Sequence, residues 1–117
     1  MKIAFLKKLP KGYEKKFSVE IHFEDGKKRT VRFGKNGAED FTIHQDKKKR
    51  LNYLRRHGRD GKSFSRSTLE NWSQKGVDTA GYWARWLLWE KDDLDKAIEF
   101  MKKKKKHRSD IRSMNTK

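Results

Sequence analysis

The sequence has no cysteine among its 117 residues, which excludes disulfides, thiol nucleophiles and cysteine-ligated zinc and leaves the compartment open. Apolar residues are scarce at 32%, so nearly every large side chain is needed for one modest core. No apolar run approaches the length that spans a bilayer, and in MKIAFLKKLPKG the pair Lys7 and Lys8 interrupts the apolar stretch before a signal h-region forms. A soluble, non-secreted protein without membrane insertion is expected. Acidic residues are also short: 16 Asp and Glu face 32 Lys and Arg, a net charge of +16. Such an excess attracts polyanions through its field alone. Nucleic acid is the leading partner, an anionic membrane or an acidic protein surface the next.

In KFSVEIHFEDGKKRTVRFG, residues 16–34, Phe17, Val19, Ile21 and Phe23 alternate with Ser18, Glu20 and His22, the pattern of a half-buried strand. Val31 and Phe33 of the next strand share its apolar face only if the loop holds an odd number of residues, because strand side chains alternate with period two. A three-residue loop, Glu24-Asp25-Gly26, with Gly26 in the left-handed region, pairs Phe17 with Phe33 and Val19 with Val31. Glu20, Thr30 and Arg32 then lie on the outer face, with His22 opposite Lys28. A hairpin alone is marginal, so helices must cover its apolar face, and Ile3 and Phe5 are the expected contribution of a third strand.

GKNGA, residues 34–38, reads as a turn. Beyond it Asp46 is placed to cap a basic helix ending at His57 before Gly58. Leu51 and Leu54 are expected on its inner face. Over residues 46–57 six Lys or Arg stand against one Asp. Lys47, Lys48 and Lys49 supply point charge, Arg55 and Arg56 the forked geometry that meets phosphate bidentately, and Tyr53 a ring for stacking. The plainer reading of such a helix is a charged face in solvent. Residues 59–66 read as a loop, and Ser67 with Glu70 forms a capping box for a short helix through Trp72.

TAGYWARWLLW, residues 79–89, contains three of the four tryptophans. On a helix capped by Asp78 or Thr79, Ala80, Trp83, Ala84 and Leu87 share one face, and Tyr82, Trp86 and Trp89 a second. A helix apolar nearly all round is buried, so Trp83 and Trp86 are expected in the core. Trp89 and Tyr82 are the most exposed of its rings and the candidates for base stacking. Asp92 and Asp95 resemble a capping box for a last helix, with Leu94, Ala97, Ile98 and Met101 on its apolar face. From Lys102 onward eight Lys or Arg stand against one Asp, and a disordered basic tail is expected over 102–117. Lys102, Lys103, Lys104, Lys105, Lys106 and Arg108 form its electrostatic arm.

Material for catalysis is thin. Asp46 and His57 lie about 16 Å apart along one helix and do not converge, and His44 beside Asp46 reads as a helix cap or a hydrogen-bonded imidazole. FGKNGAED lacks both the phosphate-loop Lys-Ser/Thr and the dinucleotide G-x-G-x-x-G. No enzymatic activity, cofactor, metal or small-molecule substrate is expected.

Two segments, FGKNGAEDFTIHQDKKKRLNYLRRHG (33–58) and ENWSQKGVDTAGYWARWLLWEKDDL (70–94), together with FSVEIHFEDGKK, resemble a family of small uncharacterised basic proteins of nucleocytoplasmic large DNA viruses, the giant viruses. The resemblance rests on Phe33, Gly34, Gly37, Phe41, Thr42, His44, Asp46, Tyr53, Arg56, His57, Thr79, Ala80, Gly81, Trp86 and Trp89 and covers roughly residues 17–98. A proline expected shortly before the T-A-G segment or after the last Trp is replaced by Gly-Val-Asp and by Asp92, and the loop 59–66 is long. The resemblance implies a viral setting, in the virion or in the cytoplasm or nucleus of an infected cell. It implies no mechanism.

The expected architecture is therefore α+β: a small antiparallel hairpin or sheet of two or three strands covered by three or four helices, in one compact domain over 1–101, followed by the basic tail. The expected function is non-enzymatic binding of DNA or RNA through the basic helix and the lysine arm, largely independent of sequence. The alternative is a minor capsid or core component that docks on acidic protein surfaces.

Overall fold

A computed structural model describes residues 2–57, 76–104 and 109–113. The expected loop 59–66, the helix around Ser67–Trp72, Gly58, and Lys105, Lys106 and Arg108 lie outside these residues.

The fold is α+β, built on a four-stranded mixed sheet in the order β3-β2-β1-β4. Strands β1 (Lys2–Lys8), β2 (Lys15–His22) and β3 (Lys28–Lys35) form an antiparallel meander. Phe17 pairs with Phe33, Val19 with Val31 and His22 with Lys28, the register expected from the period-two pattern. The Phe23 N–H donates to Lys27 O at 2.9 Å across the turn, and Gly26 has φ +91°, so Gly26 fills the left-handed position such a loop demands.

Two expectations for the sheet are corrected. Strand β1 forms, but Ala4 and Leu6 point into the core, not Ile3 and Phe5. Register explains the phase: Ala4 pairs with Ile21 and Leu6 with Val19, while Ile3 and Phe5 share the outer face with His22 and Glu20. Nor is 102–117 simply a tail, because β4 (Ser109–Ser113) adds to β1 in parallel. Ile111, opposite Ala4, is buried with it. Asp110 and Arg112 pair with each other at 2.9 Å. One apolar residue between two charged ones is too short a pattern to mark a strand in advance.

Helix α3 (Ala80–Trp83) runs directly into a π-helical turn, Ala84–Leu88. Both pack on β3, and α4 (Leu94–Lys103) packs on β4 and on the π turn. The core gathers the inward residues of the sheet with Tyr82, Trp83, Trp86, Leu87, Leu88, Ala97 and Met101. Trp83 is fully buried and its indole N–H donates to Val77 O at 2.6 Å. Thr79 caps α3 by accepting the Tyr82 N–H at 3.4 Å. The α4 cap is Asp93, not Asp92: its carboxylate accepts the N–H groups of Asp95 (2.8 Å) and Lys96 (3.2 Å), whereas Asp92 pairs with Lys96 Nζ at 3.3 Å.

The short helix α1 (Phe41–His44) and the basic helix α2 (Lys47–His57) flank this core. Asp40 caps α1 through Thr42, and its second oxygen accepts Lys16 Nζ at 2.6 Å. Both partners are largely sequestered, at 13% and 4% side-chain exposure. This buried pair ties α1 to β2.

Candidate nucleic-acid interface

The basic helix begins at the predicted cap. One Asp46 carboxylate oxygen accepts the N–H groups of Lys48 (2.9 Å) and Lys49 (3.2 Å). The N–H of Lys49 first, and that of Lys48 with it, holds the Asp46 carboxyl below its ordinary value. His44 Nδ1 accepts the Asp46 N–H at 2.9 Å, so the imidazole supports the α1–α2 junction.

The rotational phase of α2 differs from the expected one. Leu51 is exposed at 43% and Leu54 is half-buried, while Tyr53 is buried and Arg50 half-buried. Contacts to the segment after the π turn set this phase. Tyr53 stacks on Trp89 with ring centroids 4.1 Å apart, and Arg50 donates to Trp89 O at 2.6 Å and to Glu90 Oε1 at 3.2 Å. The same carboxylate oxygen accepts Arg85 at 2.8 Å. Burial lowers the pKa of the Arg85 guanidinium, and the hydrogen bond to Glu90 opposes that shift. Arg50 and Arg85 are therefore structural cations.

What α2 presents outward is Lys47, Lys48, Lys49, Arg55 and Arg56, all exposed. Lys49 reaches Glu39 at 3.6 Å; the other four have no ion-pair partner among the described residues. At the end of α4, Lys102, Lys103 and Lys104 are exposed, with Lys102 3.7 Å from Glu99 and Lys104 Nζ 5.5 Å from the Phe100 ring. Of the three rings expected to stack on bases, Tyr53 and Tyr82 are buried, while Trp89 is half-buried, with the partial exposure expected of it. Tyr82 is 0% exposed, its phenol pushed above its ordinary pKa by burial; Tyr53 and Trp89 cover one another. The shortage of aliphatic residues accounts for this, since such a chain builds even its secondary contacts from aromatics.

A feature not expected from the sequence lies on the other side of α1. The loop between β1 and β2 is pinned by Asn36, whose main-chain N–H donates to Glu14 O at 2.8 Å and whose Nδ2 donates to Tyr13 O at 2.9 Å. Between this loop and residues 36–43 runs an open groove of about 1560 Å³. Lys7, Lys8, Lys11, Lys15 and Arg32 line it and have no ion-pair partner among the described residues. Tyr13, also in its lining, is 57% exposed. The available signal was L-P-K-G-Y, a turn carrying an aromatic outside any periodic pattern.

Residues 6–57 match the model of a family of unknown function, DUF5754. That segment holds the last residues of β1, strands β2 and β3, the groove, α1 and α2. The α3–π segment, α4 and the lysine arm fall outside it. Nothing in the family's description links the chain to giant viruses. Neither a curated protein nor a solved structure matches the chain significantly.

Among the described residues no helix is long and apolar enough to cross a membrane, and no cluster of His, Asp or Glu is arranged to hold a metal ion.

Proposed function

We propose that the protein is a non-enzymatic, largely sequence-independent binder of nucleic acid, acting through the outward face of α2 and the lysine arm after α4, in the viral setting that the resemblance implies. The division of labour on α2 carries this reading. Arg50 is consumed by Glu90 and Trp89, while Lys47, Lys48, Arg55 and Arg56 are held outward and unpaired among the described residues. A helix that displays cations without carboxylate partners among the described residues meets phosphates without first breaking ion pairs there.

The test is a salt-titrated binding series with duplex DNA, single-stranded DNA, RNA and an acidic polypeptide. Affinity for nucleic acid is expected to fall steeply between low and physiological salt. The Arg55→Glu, Arg56→Glu variant is expected to bind more weakly while remaining folded. Absence of binding to every nucleic acid at low salt sinks the proposal. Equal competition by the acidic polypeptide favours instead a structural component that docks on acidic protein surfaces.

A further inference from the structure

We propose that the groove between the β1–β2 loop and residues 36–43 is a second binding site, for single-stranded nucleic acid, in which Tyr13 stacks on an unpaired base while the surrounding cations hold the flanking phosphates. The inference extends the nucleic-acid reading, but it rests on residues that α2 and the lysine arm do not supply.

Charge is the first ground. Of the carboxylates in the groove wall, Asp40 is neutralised by Lys16 at 2.6 Å and Glu39 is met by Lys49 at 3.6 Å. Glu14 alone remains to oppose Lys7, Lys8, Lys11, Lys15 and Arg32. Lys7 and Arg32 lie in one row across the sheet, on either side of Ser18 of β2, with which each is in register. Cations therefore lie on a regular strand scaffold as well as on the loop.

Size is the second. At about 1560 Å³ the open groove exceeds the roughly 300–1,000 Å³ of a small-molecule pocket. A polymer segment suits it better.

Tyr13 decides which polymer. Tyr13 is 57% exposed and Ile43, also in the groove lining, 55%, so the groove offers an accessible ring and an apolar side chain beside its cations. The Tyr13 main chain is fixed by Asn36, so the ring stands on an ordered support. Duplex DNA offers such a ring phosphates, sugars and base edges but no base face, because its bases are stacked on each other. A single strand offers base faces. An acidic peptide would use the lysines but leave the ring without a role. The lining residues named here all fall within the segment 6–57 that matches the family model, so the groove belongs to the shared part of the chain.

The experiment measures fluorescence anisotropy of labelled oligothymidylate, oligouridylate and a DNA duplex with the full chain, unlabelled polyglutamate serving as competitor. Tyr13→Ala is expected to weaken single-strand binding about 5- to 100-fold and to leave duplex binding unchanged. Tyr13→Phe should stay within about twofold of the parent, since the ring is retained. Lys11→Gln with Lys15→Gln should lower the salt slope for single strands by about 0.7 per lysine removed. Circular dichroism confirms the fold of each variant. Single-strand affinities unchanged by Tyr13→Ala overturn the proposal, as does polyglutamate competing as well as oligothymidylate for the groove-dependent binding. If Arg55→Glu, Arg56→Glu abolishes binding while the groove variants bind as the parent does, the α2 reading stands and the groove reading falls. The reverse pattern removes α2 and leaves the groove.

Discussion

The rings of Tyr53 and Trp89 lie face to face, 4.1 Å between centroids and 4° from parallel. This contact holds the basic helix α2 against the end of the tryptophan segment, so a ring that reads as a base-stacking candidate in the sequence stacks on a ring of its own protein. Trp89→Ala is expected to cost about 2 kcal/mol in chemical denaturation, from lost aromatic burial and stacking. If Trp89 were a platform for bases, the variant would lose single-strand affinity while its stability stayed that of the parent.

Gly34 has φ +77°, and a β-carbon there would lie 2.9 Å from Leu88 Cδ1. Gly34→Ala is therefore expected to destabilise the protein by about 1–3 kcal/mol. Leu88→Ala opens the space the new methyl needs, so the double variant should be more stable than the sum of the two single losses predicts. Additive losses in urea titrations would place the whole penalty in the backbone.

Glu90 accepts from both Arg85 (2.8 Å) and Arg50 (3.2 Å). Glu90→Gln leaves two poorly solvated guanidiniums without their carboxylate, at a cost on the order of 3 kcal/mol. Adding Arg85→Met should restore part of that loss, because the uncompensated charge is removed with its partner. Thermal unfolding of both variants measures it.

The pKa of Asp46 is lowered chiefly by the Lys49 N–H, so the folded state prefers the carboxylate. Its contribution is complete above the ordinary aspartate pKa and is lost as pH falls through the lower folded value. The protection factors of the Lys48 and Lys49 amides, relative to their intrinsic exchange at each pH, should fall only below about pH 4. Asp46→Asn, which keeps a capping oxygen but cannot titrate, should abolish that pH dependence; NMR of the two amides reads both effects.

Asp93, rather than Asp92, should be the residue whose loss unravels the start of α4. Asp93→Ala is expected to cost about 1 kcal/mol, while Asp92→Ala removes only an exposed i,i+4 pair worth about 0.3–0.5 kcal/mol. Equal losses in denaturant titrations would contradict the observed cap.

The β2–β3 hairpin was legible because two independent signals agreed, the alternation of Phe17, Val19 and Ile21 with polar residues and the glycine of an odd-length turn. Caps at Asp46 and Thr79 were legible for the same local reason: an acceptor stands beside the N–H groups it satisfies. The phase of β1 was not, since Ile3 and Phe5 are more apolar than Ala4, and only pairing with Ile21 and Val19 shows which alternate set faces the helices. The groove was hidden because its cations are spread from Lys7 to Arg32 and become one surface only when β1, β2 and β3 lie side by side.

Composition and periodicity by themselves determined the α+β class, the excess of positive charge and the burial of Trp83 and Trp86, because each follows from local pattern or from the scarcity of apolar residues. Tertiary structure alone decided which cations are free. Lys16 and Arg50 read like any other basic residue in the chain, yet Asp40 claims the first and Glu90 the second across the fold. Lys11, Arg55 and Arg56 are left exposed, and half-buried Lys15 lines the open groove. Charge is counted along a sequence, but it acts through neighbours that only folding supplies.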